Sequence, residues 1–154
     1  MIDFSMISAL AVFIAALIFF IVRSSRRGID MLARPTINRY AFYFGKLNAF
    51  IACAFIPVAA LHPQIRSWQT PQYLVWLAII ILNIGISFAL SAMRQLGNDL
   101  VAGIPETGIH RLQTGGIYRF SRNPLYLGVF LLIIASLLYV PHPVNILAGL
   151  TAIG

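Results

Sequence analysis

Charge is what this chain has least of. Only 10% of its 154 residues are Asp, Glu, Lys or Arg, and the acidic set is Asp3, Asp30, Asp99 and Glu106. Apolar residues make up 60%, and mean hydropathy is +0.87. A soluble domain of this size has too much boundary to hide that much apolar surface. A membrane protein is the default, and the length allows one domain. There is a single cysteine, Cys53, inside an apolar run. That excludes an internal disulfide, and the residue reads as a small buried apolar side chain. No His/Cys/Asp cluster has metal-ligand spacing, so no metal is expected. Lysine occurs once, as Lys46; every other basic residue is Arg, and net charge is +7. These charges fall between apolar segments, as membrane topology requires. A nucleic-acid partner would want them on one continuous solvated face, and none is expected.

What is abundant is long apolar sequence. Runs at about 4–22, 40–61, 73–93 and 124–140 are long enough to cross a bilayer, at about 20 residues for a ~30 Å hydrocarbon core. Another begins at Val144, "VNILAGLTAIG", and stops at Gly154 before it could span. The runs are too long for strands and do not alternate. The expected fold is all-α: an integral membrane helical bundle with four full transmembrane helices, the start of a fifth, and one membrane domain over 1–154. No basic residue precedes the first run and five Arg follow it, the reverse of a cleaved secretory signal, so it reads as a retained anchor. Loop 23–39 holds five Arg, loop 62–72 one, and loop 94–123 four. The positive-inside bias places the N-terminus outside and loops 23–39 and 94–123 in the cytoplasm.

Topology alone accounts for the first loop but not the third. Arg94 to Asn123 runs thirty residues, against eleven and three in the outward connections. Long loops in compact folds are functional or disordered, and the interleaved apolar residues argue against disorder. It carries two of the four acidic residues, His110, and five of eleven glycines. Gly115-Gly116 is a predicted break, after which "IYRFSRN" can lie along the interface. Pro124 suits the first position of a helix, having no N–H to leave unsatisfied, and Asn123 before it is a natural cap. The helix start then aims free N–H groups at the cytoplasmic mouth beside Arg119 and Arg122, and such an end attracts anions. Taken singly, these residues have plainer readings: Arg119 and Arg122 snorkelling to phosphates, Tyr118 and Tyr126 in an interfacial belt, Gly128 at a helix contact. It is their grouping that points to a site.

That grouping, "LQTGGIYRFSRNPLYLG", resembles the motif of the isoprenylcysteine carboxyl methyltransferases and related phospholipid methyltransferases. The matching positions are Leu112, Gly116, Tyr118, Arg122, Pro124, Tyr126 and Gly128. The resemblance runs from about Met93 to Tyr139, with Asn123 standing where many members have His. It implies a multi-helix membrane enzyme with a cytosolic site for S-adenosylmethionine and a lipid or lipidated acceptor arriving from the bilayer. Carried over by position, the cofactor contacts are His110, Arg111, Leu112 and Gln113, then Tyr118, then Asn123, Pro124, Leu125 and Tyr126. Arg119 and Arg122 join them as partners for the cofactor carboxylate. Methyl transfer is a one-step displacement that needs alignment and exclusion of water more than acid–base groups, so no catalytic residue is assigned. The resemblance also implies a cytosolic tail bearing Glu, Arg and Tyr after the fifth helix. The sequence ends at Gly154, so a fragment of a longer protein, or an inactive or partner-dependent relative, is the expectation. Sterol reductases resemble the same motif, which keeps a nicotinamide-dependent membrane reductase as an alternative, beside a non-catalytic membrane protein.

The remaining polar residues read as structural. Lys46 is expected to snorkel, Asn48 and Asn83 to hydrogen-bond between helices, and Pro57 to kink its helix. His62 and His142 flank prolines in outward turns. The oligomeric state is open.

Overall fold

The computed structural model describes residues 2–25, 39–65, 68–96 and 115–153. Five α-helices follow one another: α1 (Ile2–Ser25), α2 (Arg39–Leu61), α3 (Gln72–Leu96), α4 (Pro124–Tyr139) and α5 (Pro143–Ile153). Single 3-10 turns stand at Pro63–Ile65 and Gly116–Arg119, and there is no strand among the described residues. The all-helical expectation therefore holds. Of the four expected full spans, three meet the length and hydropathy of a crossing, over Phe4–Arg23, Phe42–Leu61 and Gln72–Gln95. At 16 residues α4 is about 24 Å long, short of the ~30 Å core. Proline sets both of its limits. Pro124 fixes the first helical position, and Pro141 and Pro143 forbid continuation past the cap at Val140.

α3 is the hub. Val75, Ala78, Leu82, Ile86, Ala89 and Met93 are all buried along it. Their spacing of three and four residues puts them on one stripe. Against that stripe pack Met6, Leu10 and Phe13 of α1 and Leu132, Ala135 and Tyr139 of α4, and Ile56 and Ala59 of α2 belong to the same core. In lipid the hydrophobic effect does not draw helices together, so close van der Waals fit must. The tightest fit lies between α3 and α4, where two glycines face each other. A Cβ on Gly128 would come within 2.7 Å of the Gly85 carbonyl oxygen and 2.8 Å of the Ala89 nitrogen. Only residues without a side chain allow that approach.

A smaller cluster of Ala52, Ile133 and Ala148 joins α2, α4 and α5. Beside it lies a polar knot whose members, Ser136 and Asn145, are both 0% exposed. The Ser136 hydroxyl donates to the Ala52 carbonyl, and the Asn145 amide donates to the carbonyls of Val140 at 2.9 Å and Ser136 at 3.2 Å. These bonds tie the α4–α5 hairpin to α2 at the level of the proline turn. His142 in that turn stacks on Phe55 of α2, with ring centroids 5.4 Å apart, and its Nδ1 accepts from the Val144 N–H.

Several polar residues behave differently from expectation. Asn48 and Asn83 do not bridge helices. Each donates to the carbonyl one turn back on its own helix, Phe44 at 2.9 Å and Ile79 at 2.8 Å. A carbonyl one turn back on the same helix is always within reach of such a side chain, and the local bond forms. Cys53 is only partly buried, at the edge of the main core. The Lys46 ammonium lies over the Phe42 ring, 4.0 Å from its centroid, reaching back toward the start of α2. Pro57 lies inside α2 and withholds an N–H from the Cys53 carbonyl.

Candidate functional site

The site is built where α3 ends and α4 begins. Gln95, in the last turn of α3, accepts through Oε1 from the Ile117 N–H at 3.2 Å. To reach it the chain must turn sharply at Gly116, which has φ +59°. In that left-handed region an L side chain is strained, and a Cβ here would also overlap the Gln95 amide. The latch leads into the 3-10 turn Gly116–Arg119, held by Tyr118 N–H to Gly115 oxygen and Phe120 N–H to Ile117 oxygen, both at 3.2 Å. Four residues then bring the chain to Pro124, with the Asn123 N–H donating to Ser121 Oγ at 3.2 Å.

The motif residues separate by exposure. Pro124 and Gly128 are buried, and Gly128 serves the contact with α3. Tyr118 and Leu125 are half-buried, while Arg119, Arg122, Asn123 and Tyr126 are exposed. Burial disfavours the phenolate and pushes the Tyr118 hydroxyl above its ordinary pKa, so it stays a neutral donor at physiological pH. Phe120, between the two arginines, is 79% exposed. His110, Arg111, Leu112 and Gln113 lie outside the described residues.

Asn123 departs from the expected cap. Its carbonyl does accept the first helical bond, from Leu127 N–H at 3.1 Å. Its side chain makes no capping bond, because φ −138° and ψ 72° turn it away from the extended cap geometry. The N–H groups of Leu125 and Tyr126 consequently have neither an intrahelical carbonyl nor a cap oxygen to meet. The helix start is a donor-rich, partly positive end, and the segment leading into it carries Tyr118, Arg119 and Arg122.

Sequence reasoning missed two contributors. Gln95 is one: a polar residue at the last turn of an apolar helix was the only signal, and its partner is 22 residues away. The Ser136–Asn145 knot is the other. Its nine-residue spacing across a proline turn becomes meaningful only when the turn folds α5 back on α4. A groove of about 320 Å³ lies elsewhere, between α1 and α3.

A helical membrane protein whose buried glycine contact supports a cationic, aromatic, donor-rich helix start is suited to holding an anionic small molecule at the edge of the bilayer. The comparisons sharpen that class. The chain matches the family described as phospholipid methyltransferase over residues 73–153, which is 81 of its 154 residues and runs from α3 through α5. It belongs to the phospholipid methyltransferase family. No curated protein and no solved structure matches it.

Proposed function

We propose that the chain transfers the methyl group of S-adenosylmethionine to a lipid or lipidated carboxylate or amine at the membrane. The family match carries the reading, because its span, residues 73–153, includes the latch, the 3-10 turn and the start of α4. The residues present suit the cofactor. Its carboxylate fits the Leu125 and Tyr126 N–H groups with Arg119 or Arg122 as counter-ion. Its adenine fits against Tyr118, a half-buried residue that follows directly on the Ile117–Gln95 bond in the chain. The Asn123 amide, making no capping bond, offers one donor and one acceptor to the nucleoside. His110, Arg111, Leu112, Gln113 and Pro124 are assigned to the same seat by their place in the motif.

When bound, the cofactor supplies a methyl group on a positively charged sulfur, transferred in one displacement. The chain's task is then positional. Tyr118 and the helix start fix the ends of the molecule, and Leu125 presents an apolar wall that keeps water from the middle. The acceptor comes from the bilayer beside α4. The arginine-rich loops place the seat in the cytoplasm with the N-terminus outside.

The test uses the purified chain in detergent. S-Adenosylmethionine at one hundred times its dissociation constant should stabilise it by about 2.7 kcal/mol, with Tyr118→Ala and Arg122→Ala losing most of the effect. Radiolabelled methyl should appear in extracted lipid. No thermal response to S-adenosylmethionine, with a response to a reduced nicotinamide dinucleotide instead, would sink the proposal.

A further inference from the structure

α3 carries a second stripe, on its outer face. Tyr73, Trp76, Ile80, Asn83 and Ser87 follow one another at spacings of three and four residues, and all are exposed. This is the seam of a helix that expects a partner helix, yet nothing among the described residues covers it. Asn83 itself lines the 320 Å³ groove between α1 and α3, with Ile86 of α3 and the small side chains Ser5, Ser8 and Ala9 of α1 across from it. Small residues let a second backbone approach closely in lipid.

Asn83 says what the partner must offer. It sits eleven residues from Gln72 and twelve from Gln95, the ends of the candidate span. At 1.5 Å per residue that is about 17 Å from either end, the middle of the hydrocarbon. One amide proton goes to the Ile79 carbonyl. The second proton and Oδ1 have no partner among the described residues. Acyl chains provide neither donor nor acceptor, and headgroups lie half a bilayer away, so an amide left thus is unfavourable. What is needed is a group at the same depth that both donates and accepts.

We propose that two copies of this chain associate through the outer face of α3, with their Asn83 side chains paired at the two-fold axis. The arrangement is isologous. The spare N–H of each Asn83 donates to Oδ1 of the other, which gives two reciprocal bonds from one residue. Depth matches by construction, because both helices are the same helix, and a carboxamide with one donor and one acceptor left is complementary to itself. Trp76 and Ile80 on one side and Ser87 on the other pack along the seam, and Val12 at the groove rim extends the contact to α1. A buried polar residue at one seam position fixes register and the number of strands. The pairing does not depend on methyl transfer.

The experiment reconstitutes the full chain in phosphatidylcholine vesicles and counts copies by single-molecule photobleaching over a range of lipid dilutions. Dimers are expected. Asn83→Leu should weaken association about tenfold, the loss of two interhelical hydrogen bonds in lipid, while Asn83→Gln keeps most of it. Circular dichroism checks that the variants retain their helices. In a Cys53→Ala background, Ile80→Cys should form a disulfide-linked dimer under mild oxidation, and Phe50→Cys, exposed on α2, should not. Monomers at every dilution, Asn83→Leu dimers as tight as wild type, or equal cross-linking at both cysteines would each overturn the proposal.

Discussion

Gly128→Ala is a sharp test of how the seat is supported. The added methyl would lie 2.7 Å from the Gly85 oxygen, 2.8 Å from the Ala89 nitrogen and 2.9 Å from the Ala89 Cβ. Two of these are backbone atoms of α3, so no side chain can swing aside, and the helices must separate. Overpacking in a close-packed interior costs about 1–3 kcal/mol, and a clash against backbone belongs at the upper end. Replacing Gly by Ala within a helix returns about 1 kcal/mol. The net expectation is a loss of roughly 2 kcal/mol, about a thirtyfold shift in the unfolding equilibrium. Gly45→Ala is the matched control, since nothing lies within 4 Å of its added methyl and it should gain the propensity term alone. Reversible unfolding in mixed detergent micelles, followed by circular dichroism, measures both. If Gly128→Ala is as stable as Gly45→Ala, the glycine contact between α3 and α4 is not as described. Cofactor affinity per folded molecule separates support from contact, and should be near wild type because Gly128 faces α3 rather than the seat.

Three further outcomes follow from the same geometry. Gly116→Ala loses the strain-free left-handed turn, at about 1–2 kcal/mol, and displaces Gln95; hydrogen exchange at the Ile117 amide should accelerate severalfold, and Gln95→Ala should do the same. Asn145→Ala removes a fully buried donor from the Val140 and Ser136 carbonyls, so unfolding should become easier by about 1–3 kcal/mol with no change in cofactor affinity. Tyr118 has its folded-state pKa raised by burial, so its contribution to stability is complete below the ordinary tyrosine pKa of about 10 and is lost as pH rises through the folded value. In an alkaline titration at 295 nm, Tyr118→Phe should remove a late-ionising component and flatten that loss.

The helices were legible because apolar runs bounded by arginine and proline leave little choice, and Pro124 opens α4 where its missing N–H predicts. The fourth apolar run, read to Val140, became a sixteen-residue helix bounded by proline at both ends, shorter than the three candidate spans. Gly128 was legible as a helix contact, the plainer of its two readings. Asn48 and Asn83 were not, because a polar residue in lipid satisfies itself on its own helix before reaching for a neighbour. At the candidate site the aromatic and basic grouping was visible from residue types, and Pro124 was rightly placed at the helix start. The role of Asn123 was only half right, since its carbonyl begins α4 while its side chain stays out of the cap. Gln95 could not be found locally, because the bond that anchors Ile117 depends on two helix ends meeting.

The knot of Ser136 and Asn145 bears on how the protein enters the bilayer. At 16 residues α4 is short for an independent crossing, and the proline turn packs it against α5. Inserted alone, α5 would drag a bare carboxamide into oil. Folded first as a hairpin about Pro141–Pro143, the two helices carry that amide already satisfied by Val140 and Ser136. The proline turn thus does more than reverse the chain: it brings donor and acceptors together so that the α4–α5 pair shields its own carboxamide from lipid.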